Sequence, residues 1–82
     1  MAESTERLAI ISEVGIGYRD IDSPVLWFTT HVSESSAALQ VLSWDEAYEV
    51  LKGVREVRDL NGLACWVSCE GNRIKFLRMW SR

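Results

Sequence analysis

Residues 63–80 read Leu63-Ala-Cys-Trp-Val-Ser-Cys-Glu-Gly-Asn-Arg-Ile-Lys-Phe-Leu-Arg-Met-Trp80. Two apolar-rich runs flank the dipeptide Gly71-Asn72, which suits a tight two-residue turn. Glycine adopts the positive φ that such a turn needs at its first position without a Cβ clash. The stretch therefore predicts a β-hairpin, and the rest of the chain is interpreted around it.

A regular hairpin with this turn fixes which residues lie opposite each other and which share a face. In this pairing Val67 lies opposite Phe76, and the two belong to the face predicted to join the core. That face carries Leu63, Cys65, Val67, Cys69, Ile74, Phe76 and Trp80. The tip of the opposite face carries Arg73 and Lys75, which predict a solvated end.

An apolar patch remains on that opposite face, nearer the base of the hairpin. Exposed apolar patches mark interfaces, and Trp is a frequent interface hot spot. The predicted partner-binding site consists of Trp66, Leu77, Met79, Trp27, Lys75 and Arg73. The alternative is that a loop or the N-terminal segment covers the apolar members of this set.

Three further strands are predicted upstream of the hairpin, over residues 8–18, 25–32 and 37–42. Their period-2 alternation and their β-branched and aromatic residues favour an antiparallel meander. The first strand contains Val14-Gly-Ile-Gly17. No helix and no third glycine follow, so this pair of glycines indicates a bulge or a close backbone approach rather than a phosphate loop.

One helix is predicted to begin at Ser43, because Ser43-Trp-Asp-Glu46 fits the capping box. The i, i+3, i+4, i+7 spacing predicts that its buried stripe consists of Trp44, Ala47, Tyr48 and Leu51. Gly53 is expected to follow the helix as its C′ residue.

The elements add up to a single α+β domain over residues 8–82, preceded by a flexible N-terminal tail over residues 1–7. The predicted fold is one antiparallel sheet of four to five strands in β-β-β-α-β-β order, with a single helix packed on one face.

The charge of the chain is −3 over 82 residues, and this negative balance argues against nucleic acid as a partner. Residues 1–49 hold nine acids and two bases, whereas residues 50–82 hold three acids and seven bases. Such a split predicts an acidic face and a basic face, or a cancelled field if the strands of the two halves interleave.

Localisation is predicted from the absence of two kinds of segment. No apolar run approaches the ~18 residues that a membrane span requires, and the N-terminus lacks the apolar region of a signal peptide. We therefore expect a cytoplasmic protein, with no membrane partner and with reduced thiols.

No catalytic, metal-binding or cofactor-binding motif is present, so the chain is predicted not to be an enzyme. Cys65 and Cys69 lie ~13 Å apart along an extended strand, from ~3.3 Å per residue, which excludes a mutual disulfide. Only His31 could join them as a soft metal ligand, and zinc needs three or four ligands. His31 also has no nucleophile or orienting carboxylate nearby in sequence, which favours a structural role.

The C-terminal part, Asp59-Leu-Asn-Gly-Leu-Ala-Cys-Trp-Val followed by Gly71-Asn-Arg-Ile-Lys-Phe-Leu-Arg, resembles an ending seen in small phage and prophage proteins of unassigned function. Val25-Leu-Trp-Phe-Thr-Thr and the Leu-Ser-Trp-Asp-Glu-Ala helix start are similar in type. The resemblance implies a small phage accessory protein, located in the host cytoplasm. Many such proteins are non-enzymatic inhibitors of host defence systems, of the anti-CRISPR type.

Three hypotheses follow. The first is a binding protein that occludes a host or phage protein, or pairs with a second copy as a homodimer. The second is an oligomeric protein that binds a small ligand or nucleotide signal between protomers, through its basic strand residues and His31. The third, placed last, is a hydrolase.

Overall fold

The fold is built on one long first strand that pairs on both sides. The computed structural model describes residues 4–80. Its elements are β1 (Thr5–Asp20), β2 (Ser23–Ser33), β3 (Ser36–Ser43), α1 (Trp44–Leu51), a 3-10 helix (Val57–Leu60), β4 (Ala64–Glu70) and β5 (Arg73–Met79). The five strands form one antiparallel sheet in the order β3-β2-β1-β4-β5. The predicted β-β-β-α-β-β order with a single α-helix is confirmed. No helix in the described part of the chain is long and apolar enough to cross a membrane.

The connection between β3 and β4 makes the sheet a Greek key. β1, β2 and β3 form a meander, and the chain then returns through α1 and the 3-10 helix to place β4 beside β1. Each neighbouring pair is antiparallel, so the two edge strands, β3 and β5, run in the same direction. These edge strands also contact each other. The sheet is thus a five-stranded, partly open barrel.

The side chain of Gln40 joins the two edges of this barrel. Its Nε2 donates to the carbonyl of Ile74 at 2.8 Å, and its Oε1 accepts from the backbone N–H of Phe76 at 3.0 Å. Nε2 also donates to Thr30 Oγ1 at 3.2 Å, and that hydroxyl donates to the carbonyl of Ala38. A buried amide is costly unless it is hydrogen-bonded, and this one is bonded at both ends.

The core lies inside the curl of the sheet and under α1. It consists of Ala9, Ile11, Leu26, Phe28, Leu42, Ala47, Val50, Leu60, Cys65 and Val67. The rings of Phe28 and Phe76 meet edge to face with centroids 5.3 Å apart, which joins β2 to β5 across the interior. The 3-10 helix adds Leu60, which is fully buried.

The predicted tail over residues 1–7 is wrong for its last three residues. β1 begins at Thr5 rather than Leu8, and Thr5 and Arg7 lie opposite Cys69 and Val67 of β4. Strand pairing with β4, which lies far away in sequence, orders a segment whose own composition is polar. Residues 1–3 of the predicted tail lie outside the described residues.

The helix begins where predicted but presents a different face. Ser43 is the N-cap, and its Oγ accepts from the backbone N–H of Glu46. The buried residues are Ala47 and Val50, whereas the predicted Trp44 and Tyr48 are exposed. The helix has only two turns. The face that it turns inward is therefore set by which residues meet Leu42 and the core, and not by its widest apolar stripe.

The terminal hairpin follows the predicted pairing near its tip and departs from it near its base. Gly71 has a φ of 61°, and Val67 lies opposite Phe76 as predicted. A bulge then follows, because Trp66 lies opposite Arg78 and not opposite Leu77. The bulge shifts every later residue to the other face. Met79 therefore lies opposite Cys65 and packs against the core.

Candidate functional site

The six residues predicted to bind a partner do not form one patch. Trp27 and Trp66 lie on the outer face of the barrel, on β2 and β4 respectively. Arg73 and Lys75 lie opposite Glu70 and Ser68 near the hairpin tip. The other two residues, Leu77 and Met79, line a groove between α1 and β5. The β5 bulge separates them from Trp66, so the prediction of a single Trp66–Leu77–Met79 patch is wrong.

Trp66 has a partner within its own chain. The guanidinium of Arg78 lies 5.7 Å from the centroid of the Trp66 ring, within cation–π range. Arg78 also forms an ion pair with Glu6 of β1 at 2.8 Å. These contacts cover one side of the indole and link β1, β4 and β5.

The groove between α1 and β5 has a volume of about 380 Å³. Its apolar lining residues are Leu42, Val50, Phe76, Leu77 and Met79, and its charged ones are Glu46, Glu49 and Arg78. Both signs of charge therefore meet at its edges, and the groove has no single electrostatic preference.

The outer surface of β1, β2 and β3 carries apolar side chains that the sheet leaves uncovered. Directly paired residues share a face of a sheet. The outward-facing rows across these strands are Ile10–His31–Ala37, Ser12–Thr29–Leu39 and Gly15–Trp27–Val41. The side chains of Leu26, Phe28 and Thr30 point the opposite way and are fully buried.

Four aliphatic side chains on this surface are open to solvent. Leu39 is 63% exposed, Ile10 47%, Leu8 46% and Val41 44%. We name these four residues together with Trp27 the outer β1–β3 face. Strands β2 and β3 contain no Asp, Glu, Lys or Arg. Two of the three strands that form this face are thus without formal charge.

Trp27 is held flat against β1 by the two glycines of Val14-Gly-Ile-Gly17. A Cβ placed on Gly15 would lie 2.4 Å from the Trp27 ring, and one placed on Gly17 would lie 2.5 Å from it. A register shift between Ser12 and Gly15 marks a bulge at the same place. Both parts of the prediction for this motif, a bulge and a close approach, are confirmed, and the indole is what approaches the backbone.

A serine and the only histidine meet on the same surface. Ser12 Oγ lies 2.6 Å from His31 Nε2, on a diagonal between β1 and β2. Sequence inspection missed this pair because the two residues are 19 positions apart. Within residues 4–80, no carboxylate bonds to the other ring nitrogen of His31. A base oriented by a third group, as in a catalytic triad, is thus not assembled there.

The second hypothesis requires His31 and the basic strand residues to surround one ligand. Around the barrel, β3 lies between His31 on β2 and Lys75 on β5, and neither residue lines the groove between α1 and β5.

The thiols differ in environment. Cys65 is fully buried, and burial raises the pKa of its thiol to about 11. Cys69 is half-buried at the open end of the barrel. Among residues 4–80, no three His, Cys, Asp or Glu side chains come together as a metal-binding group.

The exposed aliphatic residues were not predicted as a site, although a signal for them exists. β1 and β3 carry apolar residues at both odd and even positions, as in Leu8-Ala-Ile-Ile11, and the core can bury only one face of such a strand.

Comparison with protein-family models, curated proteins and solved structures gives no match to this chain.

Proposed function

We propose that this protein is a non-enzymatic binding module that docks on another protein through the outer β1–β3 face. The observation that carries the proposal is the set of four exposed aliphatic side chains on β1 and β3, with Trp27 on β2 between these two strands. Interfaces gather their energy in apolar and aromatic centres of this kind. The Trp27 ring is already immobilised over Gly15 and Gly17, so ordering it on binding costs little entropy.

The chemistry of the face favours a protein over a nucleic acid. Five-stranded, partly open Greek-key barrels of the OB type bind oligonucleotides or sugars on the face of strands 2 and 3, which is an analogy of fold only. Phosphate binding needs Lys or Arg along such a face. Here β2 and β3 carry neither. The partner we infer therefore presents a neutral, apolar surface.

Two specific versions of the proposal remain. The resemblance to phage accessory proteins suggests that the partner belongs to a host defence system and is inhibited by occlusion. The alternative is a second copy of this chain, which would cover the same aliphatic residues in a homodimer.

The test is a pair of lysine variants with a matched control. Leu39→Lys combined with Val41→Lys places two charges on the β3 side of the face, where Leu39 and Val41 are both exposed. Ile21→Lys is the control, because Ile21 is 90% exposed in the turn between β1 and β2 and lies outside the face. Far-UV circular dichroism establishes that all three proteins are folded.

Association is then measured in two ways. Light scattering after size exclusion reports self-association, and quantitative capture from a host extract reports other partners. We expect the wild type and Ile21→Lys to associate alike and the double variant to lose association. If the double variant retains the same mass and the same partners, the outer β1–β3 face is not the docking surface.

A further inference from the structure

A polar cavity opens at the end of the barrel opposite α1. The start of β1, β3 and β5 and the ends of β2 and β4 all lie at this end, because neighbouring strands are antiparallel. The cavity has a volume of about 270 Å³. Its polar lining comprises Arg7, Ser35, Ser36, Cys69 and Asn72, and Ile74 is among its apolar residues.

Arg7 is the cation of this cavity. It shares the inward-facing side of β1 with the buried residues Ala9 and Ile11, following the period-2 rule. None of the lining residues is acidic, and Glu34 of the adjoining turn is not among them. Arg7 forms no ion pair with any carboxylate of residues 4–80. Its guanidinium thus faces a set of neutral groups.

Those neutral groups are hydrogen-bond donors contributed by two different turns. Ser35 belongs to the connection between β2 and β3, Ser36 is the first residue of β3, and Asn72 belongs to the turn between β4 and β5. A guanidinium together with hydroxyl and amide donors is the combination that recognises an oxyanion. The cavity is slightly smaller than the ~300 Å³ at which sites for drug-sized ligands begin.

We propose that the mouth of the barrel binds a small oxyanion, a phosphate or carboxylate group with at most a short apolar portion. The Arg7 guanidinium takes the charge, the Ser35, Ser36 and Asn72 side chains donate to the remaining oxygens, and the apolar portion lies on Ile74. This site is separate from the outer β1–β3 face, and the two proposals stand or fall independently.

The reactivity of Cys69 is expected to report whether the cavity is occupied. Its thiol lines the site, whereas Cys65 is fully buried and its raised pKa keeps it protonated. Only Cys69 is therefore expected to react in the folded protein. In that reaction the Cys69 thiolate attacks one sulfur of an aryl disulfide, a protein–aryl disulfide forms, and the second aryl thiolate leaves and is counted by its absorbance.

The first experiment compares two disulfide reagents. Dithiobis-nitrobenzoate is a dianion, and dithiodipyridine is neutral. Arg7→Met should slow labelling by the dianion several-fold and leave labelling by the neutral reagent unchanged. Arg19→Met removes an exposed cation near the far end of β1 and should change neither rate.

The second experiment adds inorganic phosphate or butyrate at constant ionic strength, with chloride as the reference. We expect phosphate, butyrate or both to protect Cys69 in the wild type and in Arg19→Met but not in Arg7→Met. The anion that protects identifies the class of ligand. Amide shifts at Ser35, Ser36 and Asn72 in a nuclear magnetic resonance titration should accompany protection.

Two outcomes would overturn the proposal: neither anion protects Cys69, or Arg7→Met is protected as well as the wild type. If Arg7→Met does not fold, Ser36→Asp replaces it, since Ser36 is an exposed residue at the start of β3. The added carboxylate should abolish protection, and retained protection would contradict the site.

Discussion

The Gln40 side chain bonds the backbone of Phe76 as a neighbouring strand would. Gln40 Oε1 accepts from the Phe76 N–H at 3.0 Å, and Nε2 donates to the carbonyl of Ile74 at 2.8 Å. Edge strands leave such groups unpaired, and an unpaired group away from water is costly. One side chain of β3 thus satisfies two backbone groups of β5 and closes the gap between the edges of the barrel.

Replacing Gln40 with Leu should cost about 2–4 kcal/mol of stability, since it leaves the Phe76 N–H and the Ile74 carbonyl without partners in a partly buried place. Thr30→Val is the comparison and should cost about 1 kcal/mol, because it removes only a hydroxyl from the same network. Urea unfolding measures both. Amide exchange at Phe76 is the specific readout, and unchanged protection there in Gln40→Leu would contradict the bridge.

Gly15→Ala should destabilise the protein by about 1–3 kcal/mol, because the added methyl group overlaps the Trp27 ring. The matched control is Gly53→Ala, where a Cβ meets nothing within 4 Å, and its effect should stay within about 0.5 kcal/mol. In a Trp27→Ala background the cost of Gly15→Ala should shrink, a coupling detected by a double-mutant cycle. Equal costs in both backgrounds would show that the ring does not lie on this glycine.

Met79→Asp and Leu77→Asp distinguish the bulged hairpin from a regular one. A regular pairing places both residues on one face, so both substitutions would have similar effects. In the structure Met79 packs against the core, and Leu77 remains partly exposed. We expect Met79→Asp to cost about 2–4 kcal/mol and Leu77→Asp about 1 kcal/mol or less, measured by thermal or urea unfolding.

Cys65 should make the folded state sensitive to alkaline pH. The unfolded thiol ionises near its ordinary pKa of 9.0, whereas burial raises the pKa in the folded protein to about 11. The folded state then holds the proton more tightly than the unfolded state does. The contribution of Cys65 to the free energy of unfolding is therefore fully present below pH 9.0 and is lost as the pH rises through about 11.

Cys65→Val removes this dependence and Cys69→Val retains it. Urea unfolding at neutral pH and at a pH between the two pKa values gives, for each variant, the change in the free energy of unfolding with pH. A Cys65→Val variant that loses stability with pH as steeply as the wild type would show that other groups cause the alkaline loss.

Local chemistry made several features predictable. Gly71 adopts the positive φ that its turn requires, and Ser43 caps α1 through a residue three positions away. The three upstream strands include the predicted ranges 8–18, 25–32 and 37–42, and β1 extends further, from Thr5 to Asp20. Each of these features depends on residues that are neighbours in sequence.

The candidate sites were harder to predict from the sequence, because they are assembled from residues far apart in the chain. The β5 bulge at Leu77 carries no glycine or proline to mark it, and it alone moves Met79 from the predicted patch into the core. β1 carries apolar residues on both faces, so its sequence does not show that Leu8 and Ile10 point outward. Which face of β1 points inward follows from which side faces Phe28 and α1.

The sequence by itself determined the β-β-β-α-β-β succession of elements along the chain, the start of the helix and the tip of the hairpin, because turns, caps and alternation act over a few residues. Only the tertiary structure decided the barrel closure by Gln40, the outer β1–β3 face and the cavity of Arg7. The physical reason is that each depends on the register between strands distant in sequence, and a one-residue bulge is enough to exchange the inner and outer faces.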